Sequence, residues 1–316
     1  MLSLYRFPTH LNQSTVGEIA CTIGNFDGVH IGHAALIQEL VSLGRARGQV
    51  PAVVSFYPHP LTIIRPGYTT EKITSLRQQI ILLDQLGVEI LYLVHFTKEV
   101  ANLSPVHFFE DVLLKKIECK SLIVGADFHI GKNRSGDTEV LEKLCEAHSV
   151  YFHISSLVTC DAQEKVGSRE IRRVMKEGNM QLVQSFLGRP LAIEGKVVRG
   201  DGRGRTIGFP TANLHVRFPI PLRRGVYAAR ASASDFQNIP AVLNIGVRPT
   251  FSRHDSESER VSIEAHLLSD TTLDLYNKRL TLELLGFIRD EKTFPSVDDL
   301  KRQIEADIHE AQELLQ

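Results

Sequence analysis

No stretch of the 316-residue chain is apolar for long enough to span a bilayer, and the opening MLSLYRFPTH lacks the basic start and apolar run of a signal peptide. Cysteine is scarce. Cys21, Cys119, Cys145 and Cys160 are scattered without a CxxC pair, which fits reduced core thiols better than a disulfide framework or a zinc knuckle. Excess charge is missing too: 36 basic against 37 acidic residues leave a net charge of −1, with no broad attraction to nucleic acid or to an anionic membrane. The expectation is a cytoplasmic protein with neither as a partner. What the chain does have is apolar material, 43% of its residues, which can fill a core, and at this length two domains are expected.

The first half is organised around TIGNFDGVHIGH, residues 22–33. An apolar run through Ile19, Ala20, Cys21, Thr22 and Ile23 meets a turn at Gly24 and Gly28. An apolar-periodic stretch then follows through Ala34, Leu36, Ile37, Leu40 and Val41. That order reads as strand, glycine turn, helix, in which backbone N–H groups and the positive helix end converge on a ready anion site. His30 and His33 stand three apart at the helix entry, so both rings can reach one ligand. The same spacing suits half of a zinc site or two ordinary helix-entry residues, and no third ligand of suitable spacing follows.

Beyond that helix, strands are predicted at 50–56, 90–96, 121–124 and 150–154. Helices are predicted at 75–86, from Ser104 with Pro105 in its first turn, and at 138–148. Such alternation implies a parallel sheet covered on both faces, with ligands at the carboxyl ends of its strands. Three loops there carry unusual residues: the histidine loop, SFYPHP at 55–60, and VGADFHIGKNRSGD at 124–137. In the last, Gly125, Gly131 and Gly136 are expected to loosen the backbone while Asp127, Lys132 and Arg134 offer charge. VGSREIRRVMKEGN at 166–179 opens another helix, with Ser168 expected as its N-cap and Arg172 one turn in.

After LGRP at 187–190 the helical period gives way to short alternating runs: 191–198, 225–233, 240–245, 261–268 and 279–288. This pattern predicts an antiparallel barrel or sandwich closed by a helix over 297–315, while SRHDSESER at 252–260 reads as an exposed loop. GKVVRGDGRGRTIGFPTANL at 195–214 is glycine-rich but has no GK[ST], so it is not a Walker P-loop.

GNFDG ahead of HIGH resembles the motif of the HxGH nucleotidyltransferases. With PHP, LSPVHFFEDVL and GADF, the first half is similar to the adenylyltransferase module of the bacterial bifunctional riboflavin kinase/FMN adenylyltransferase family. PTAN, GVYA, NIGVRPTF, IEAHLL and LDLYNKRL resemble that family's flavokinase part in the expected order. The resemblance implies a Rossmann-like α/β parallel-sheet domain over 1–186 and an antiparallel β-barrel kinase domain with a C-terminal helix over 187–316. Riboflavin, FMN, FAD and ATP are its implied partners. It implies catalytic roles for His30, His33 and Glu264, the last as general base, with Mg²⁺ held by Thr211 and Asn213. Nucleotide contacts fall on Gly24, Phe26, Asp27, Ser168, Arg172, Gly202, Gly208 and Pro210, and the FMN side on Asp127. One departure stands out: where the family usually has SSTxIR, this chain has GSREIR, so Gly167 and Arg169 replace a serine and a threonine. A kinase with a weakened transferase, or a flavin sensor that has kept its pockets, are the rival readings.

Overall fold

Short β-branched runs alternating with amphipathic helices build a six-stranded parallel sheet. In this computed structural model, residues 1–7, 17–156, 166–200, 202–248, 260–269 and 274–316 are described. The strands are β1 (Ser3–Phe7), β2 (Ile19–Ile23), β3 (Val50–Tyr57), β4 (Ile90–His95), β5 (Cys119–Gly125) and β6 (Tyr151–Ser155), in the order β1-β4-β3-β2-β5-β6. Alternate residues along each strand face opposite layers. Ala20, Val53, Leu91 and Ile123 pack under Ile37, Leu40 and Leu83 from the helices Ile31–Ala46 and Leu76–Gln85. Cys21, Val54, Tyr92 and Val124 face Phe108, Phe109 and Leu113 on the other side, where Ser104 caps a helical turn that runs on as a π-turned segment, Phe108–Leu114. The helix expected at 138–148 spans Thr138–Ala147. β1 is an addition to the sequence reading: SLYRF is a five-residue edge strand that lies parallel to β4.

The second half forms a closed barrel in the order β10-β11-β8-β7-β12-β9. Its strands are β7 (Leu191–Val198), β8 (Ala212–His215), β9 (Gly225–Ala233), β10 (Phe236–Arg248), β11 (Arg260–Leu267) and β12 (Arg279–Arg289). Four-residue β8, which carries most of the PTANL string, was not among the expected strands, yet it closes the ring by pairing with both β7 and β11. The C-terminal helix Val297–Leu314 covers the barrel through Ala311, packed with Val226, Ala228 and Val242. A buried, two-pronged ion pair fastens it: Arg289 Nε and Nη2 donate to the two Asp307 oxygens at 2.7 and 2.6 Å, and Gln303 adds a third bond at 2.9 Å.

The chain separates into two compact units, Met1–Thr70 with Leu76–Gly167, and Glu71–Ser75 with Ser168–Gln316. The second therefore borrows a five-residue piece from within the first half. There the Glu71 carbonyl accepts from Arg172 Nε at 2.8 Å, Lys72 N–H donates to the Pro219 carbonyl at 3.0 Å, and Ser75 Oγ lies 3.3 Å from Glu194. Cys160 and residues 252–259 lie outside the described residues.

Candidate active sites

Strand order in the parallel sheet reverses between β2 and β5, and at such a switch point the crevice beyond the carboxyl ends is open to a ligand. The loops that leave these two strands are the histidine loop and the GADF loop. In the first, Phe26, Gly28 and Val29 adopt positive φ angles of 49°, 85° and 41°. A positive φ at β-branched Val29 is strained, and strain of this kind persists where the surroundings over-determine the backbone. The bracing is visible at Asn25, whose carbonyl accepts from Gln79 Nε2 at 2.9 Å and from Ser55 Oγ at 3.4 Å. Gln79 is buried on the helix Leu76–Gln85. Sequence reasoning passed over it; the only signal was an amide on the apolar side of a helix.

His30 caps the helix Ile31–Ala46, and its Nδ1 accepts the His33 backbone N–H at 3.3 Å. That bond puts the His30 proton on Nε2, which makes Nε2 a donor. The two rings stack with centroids 3.6 Å apart and an interplanar angle of 20°, and Phe26 meets the His33 ring edge-on at 5.0 Å. Burial, reinforced by the neighbouring His30, holds the His33 pKa well below its ordinary value, so its imidazole is neutral. Its Nδ1 is buried without a hydrogen-bond partner. Two stacked rings at a helix N-terminus, each able to present an N–H, suit a polyphosphate. Among the described residues no cluster of three metal-capable side chains accompanies them.

At Gly131 and Gly136 the structure corrects the expectation that the glycines of the GADF loop loosen the backbone. A Cβ at Gly131 would lie 2.8 Å from Pro105 Cδ, and one at Gly136 would lie 2.6 Å from Pro105 Cβ. These glycines are places where the proline ring presses on bare backbone. The loop is pinned further by the Ile130–Gly136 bridge and by Lys132 N–H donating to the Leu103 carbonyl at 2.8 Å. On this fixed frame Asp127 is exposed just beyond β5. In the other unit the helix Ser168–Glu177 starts at Ser168 itself, and Arg172 donates to the carbonyls of Glu71 and Ser168 at 2.8 and 3.1 Å.

In the barrel, Glu264 on β11 stands directly opposite Asn213 on β8, and Thr211 Oγ1 lies 3.5 Å from Glu264 Oε2. Ser262 Oγ approaches the other carboxylate oxygen at 3.4 Å. Period-two alternation puts Ser262, Glu264 and His266 on one face of β11, opposite the buried Ile263 and Ala265. The glycine-rich connection between β7 and β8 lies close over these oxygens. A Cβ at Gly200 would overlap the Asn213 amide nitrogen, and one at Gly204 would overlap the Phe209 carbonyl and stand 3.1 Å from Thr211 Oγ1. Gly202 and Gly208 instead serve the turn, with φ of 71° and 97°, and Pro210 contributes its carbonyl to a bond from His266. A carboxylate beside a hydroxyl and an amide, under a bare-backbone roof, can take a proton from an alcohol and hold a hard cation with its phosphate.

A model of the FAD synthetase family matches residues 12–170, and a model of the riboflavin kinase family matches residues 187–315. Among curated proteins, the bifunctional riboflavin kinase/FMN adenylyltransferase of Escherichia coli strain K12 is 38% identical over 307 residues, covering 97% of this chain and 96% of its own. The enzyme of the same description from Bacillus subtilis strain 168 is 34% identical over 307 residues, covering 96% and 95%. Among solved structures, a Streptococcus pneumoniae protein described as a macrolide-efflux protein matches with a TM-score of 0.84 and 28% identity over 98% of both chains. Efflux is said of that protein alone. Among the described residues here, no helix is long and apolar enough to cross a membrane.

Proposed function

The chain belongs to the bifunctional riboflavin kinase/FMN adenylyltransferase family, and from that membership we infer how its own residues divide two reactions. It is a transferase that phosphorylates riboflavin to FMN with ATP in its C-terminal part and adenylylates FMN to FAD in its N-terminal part. We propose 1–186 and 187–316 as the catalytic division, a reading supported by the start of the riboflavin kinase match at 187.

In the kinase, Glu264 takes the proton of the riboflavin 5′-hydroxyl as that oxygen bonds to the γ-phosphorus and the bond to ADP breaks. The observation that carries this reading is the β8–β11 register, which sets Glu264 across from Asn213 with the Thr211 hydroxyl beside it. Thr211 and Asn213 fit Mg²⁺, whose few protein ligands are hard oxygens and whose remaining positions go to water and phosphate. Bound there, the ion would neutralise charge on the phosphoryl group in transfer. Gly202, Gly208 and Pro210 shape the nucleotide side.

In the adenylyltransferase, an FMN phosphate oxygen bonds to the α-phosphorus of ATP as pyrophosphate departs. His30 and His33 donate to the phosphate oxygens on which charge develops, while Gly24, Phe26 and Asp27 hold the nucleotide. From the family resemblance we assign Ser168 and Arg172 to phosphate and Asp127 to the FMN side. We place the enzyme in the cytoplasm, a reading supported by its ATP dependence and by the free thiols of Cys21, Cys119 and Cys145.

The test is a time course with riboflavin and excess MgATP, the flavins being resolved by chromatography. FMN should rise first and FAD follow, which would make GSREIR a tolerated variation. Glu264→Gln should stop FMN formation yet still convert supplied FMN to FAD, and His33→Ala should do the reverse. Wild-type riboflavin phosphorylation by Glu264→Gln would overturn the base assignment, as wild-type FAD formation by His33→Ala would overturn that of the histidine.

A further inference from the structure

Two residues beyond Glu264 on the same face of β11, His266 points its Nδ1 at the Pro210 carbonyl, 2.8 Å away, and its ring meets the Phe209 ring edge-on at 5.7 Å and 81°. A carbonyl can only accept, so Nδ1 carries the proton and Nε2 is the basic nitrogen of the neutral ring. The peptide so held is the one that leads into Thr211. On the opposite side the same segment is held by Phe209 N–H donating to the Gly204 carbonyl at 2.8 Å, with Gly204 against the Thr211 side chain. The Phe209–Thr211 segment thus lies in a clamp with the glycine hairpin as one jaw and His266 as the other. Proline has no N–H and makes no ladder bond of its own through nitrogen, so this carbonyl is the polar handle by which the segment is turned.

We propose that His266 is a positioning residue of the kinase: it fixes the Pro210–Thr211 peptide so that the Thr211 hydroxyl faces Glu264 and the MgATP phosphates. This rests on the role given to Thr211 above. The residue takes no part in proton transfer to substrate. Nδ1 bears a proton in both the neutral and the protonated ring, so the clamp does not depend on the charge of the ring.

The experiment compares His266→Phe, His266→Asn, His266→Gln, Thr211→Ala and the double variant His266→Phe/Thr211→Ala. FMN formation is followed as a function of MgATP and pH, and a thermal unfolding curve of each preparation, compared with the wild type, checks that the barrel is folded. His266→Phe keeps a ring on Phe209 but has no donor; it should lower kcat and raise KM for MgATP, with kcat/KM down roughly 10- to 100-fold, as expected for a small misplacement at a reacting centre. His266→Asn, whose amide N–H can stand where Nδ1 stands, should restore most of the activity, and His266→Gln, whose amide matches the other ring nitrogen, should not. The kinase pH profile of His266→Asn should keep its shape. In the Thr211→Ala background, His266→Phe should cost little more, because the two act through one hydroxyl. Unchanged kcat and KM in His266→Phe, full additivity in the double variant, or loss of a limb of the pH profile in His266→Asn would each overturn the proposal. Wild-type kinetics in Thr211→Ala would overturn the reading of Thr211 instead.

Discussion

Replacing Gly200 by alanine adds a single methyl group, and the structure says where it goes. The new Cβ would overlap the Asn213 amide nitrogen and lie 2.5 Å from its Cγ and 2.8 Å from its Oδ1. Gly200 is not among the residues with positive φ, so alanine meets no backbone penalty there and the whole effect is steric. Asn213 cannot retreat with its backbone, because β8 is laddered to Val198 on one side and to Glu264 on the other. Either the amide leaves its rotamer, at about 0.5–1.5 kcal/mol, or the hairpin lifts, at the roughly 1–3 kcal/mol typical of overpacking. Global stability should therefore fall by about 0.5–3 kcal/mol, a loss the folded protein survives. Catalysis suffers more if Asn213 holds the cation as proposed, since moving such a group by about 1 Å costs on the order of 100-fold, or roughly 2.7 kcal/mol of barrier. Initial rates of riboflavin-to-FMN and FMN-to-FAD conversion, measured on one preparation, should show the first reduced about 100-fold and the second unchanged. Gly167→Ala is the matched control, because among the described residues a Cβ there meets nothing within 4 Å. A wild-type kinase rate in Gly200→Ala, or an equal loss of both activities, would refute the argument.

Asp307→Ala takes the buried carboxylate away from the partly buried Arg289, which keeps its bond to the Asp290 carbonyl, and should cost up to about 3 kcal/mol by denaturant unfolding of the barrel. The apolar pair Arg289→Met/Asp307→Leu should come out close to neutral. His33, whose folded pKa lies well below 6.5, should stay neutral in an NMR titration of the free protein across pH 6–8; a midpoint near 6.5 would contradict its burial. Because the unfolded chain takes up that proton first, its contribution to stability is present above pH 6.5 and is lost as pH falls from 6.5 towards the folded value.

How far the sequence could be read depended on whether the evidence was local. The parallel sheet followed from the alternation of strand and helix periods, and the histidine loop from twelve consecutive residues, since turn, cap and helix entry are all neighbours in the chain. β8 was missed because its four residues, Ala212, Asn213, Leu214 and His215, are too few to show a period. Edge strand β1, with five residues, is equally brief. The glycines at 131 and 136 were misread because the reason for them, the ring of Pro105, arrives from a different element. Gln79 and His266 were not singled out for the same cause: the carbonyl that each faces, Asn25 and Pro210, is brought to it by tertiary packing. The meeting of Glu264 with Asn213 is a matter of strand register, which motif order alone does not supply.

The placement of Glu71–Ser75 with the barrel half has a consequence for how the gene can change. A reading frame encoding only residues 168–316 would omit the carbonyl that receives Arg172, the carboxylate that receives Lys176 at 2.7 Å, and the amide that bonds Pro219. Supplied as a separate peptide, that stretch would have to be captured against the entropy of association, which the covalent chain spares it. A truncation that removes residues 1–167 therefore also takes away a piece of the unit that carries the kinase barrel, so selection for the kinase alone preserves the stretch that encodes residues 71–75.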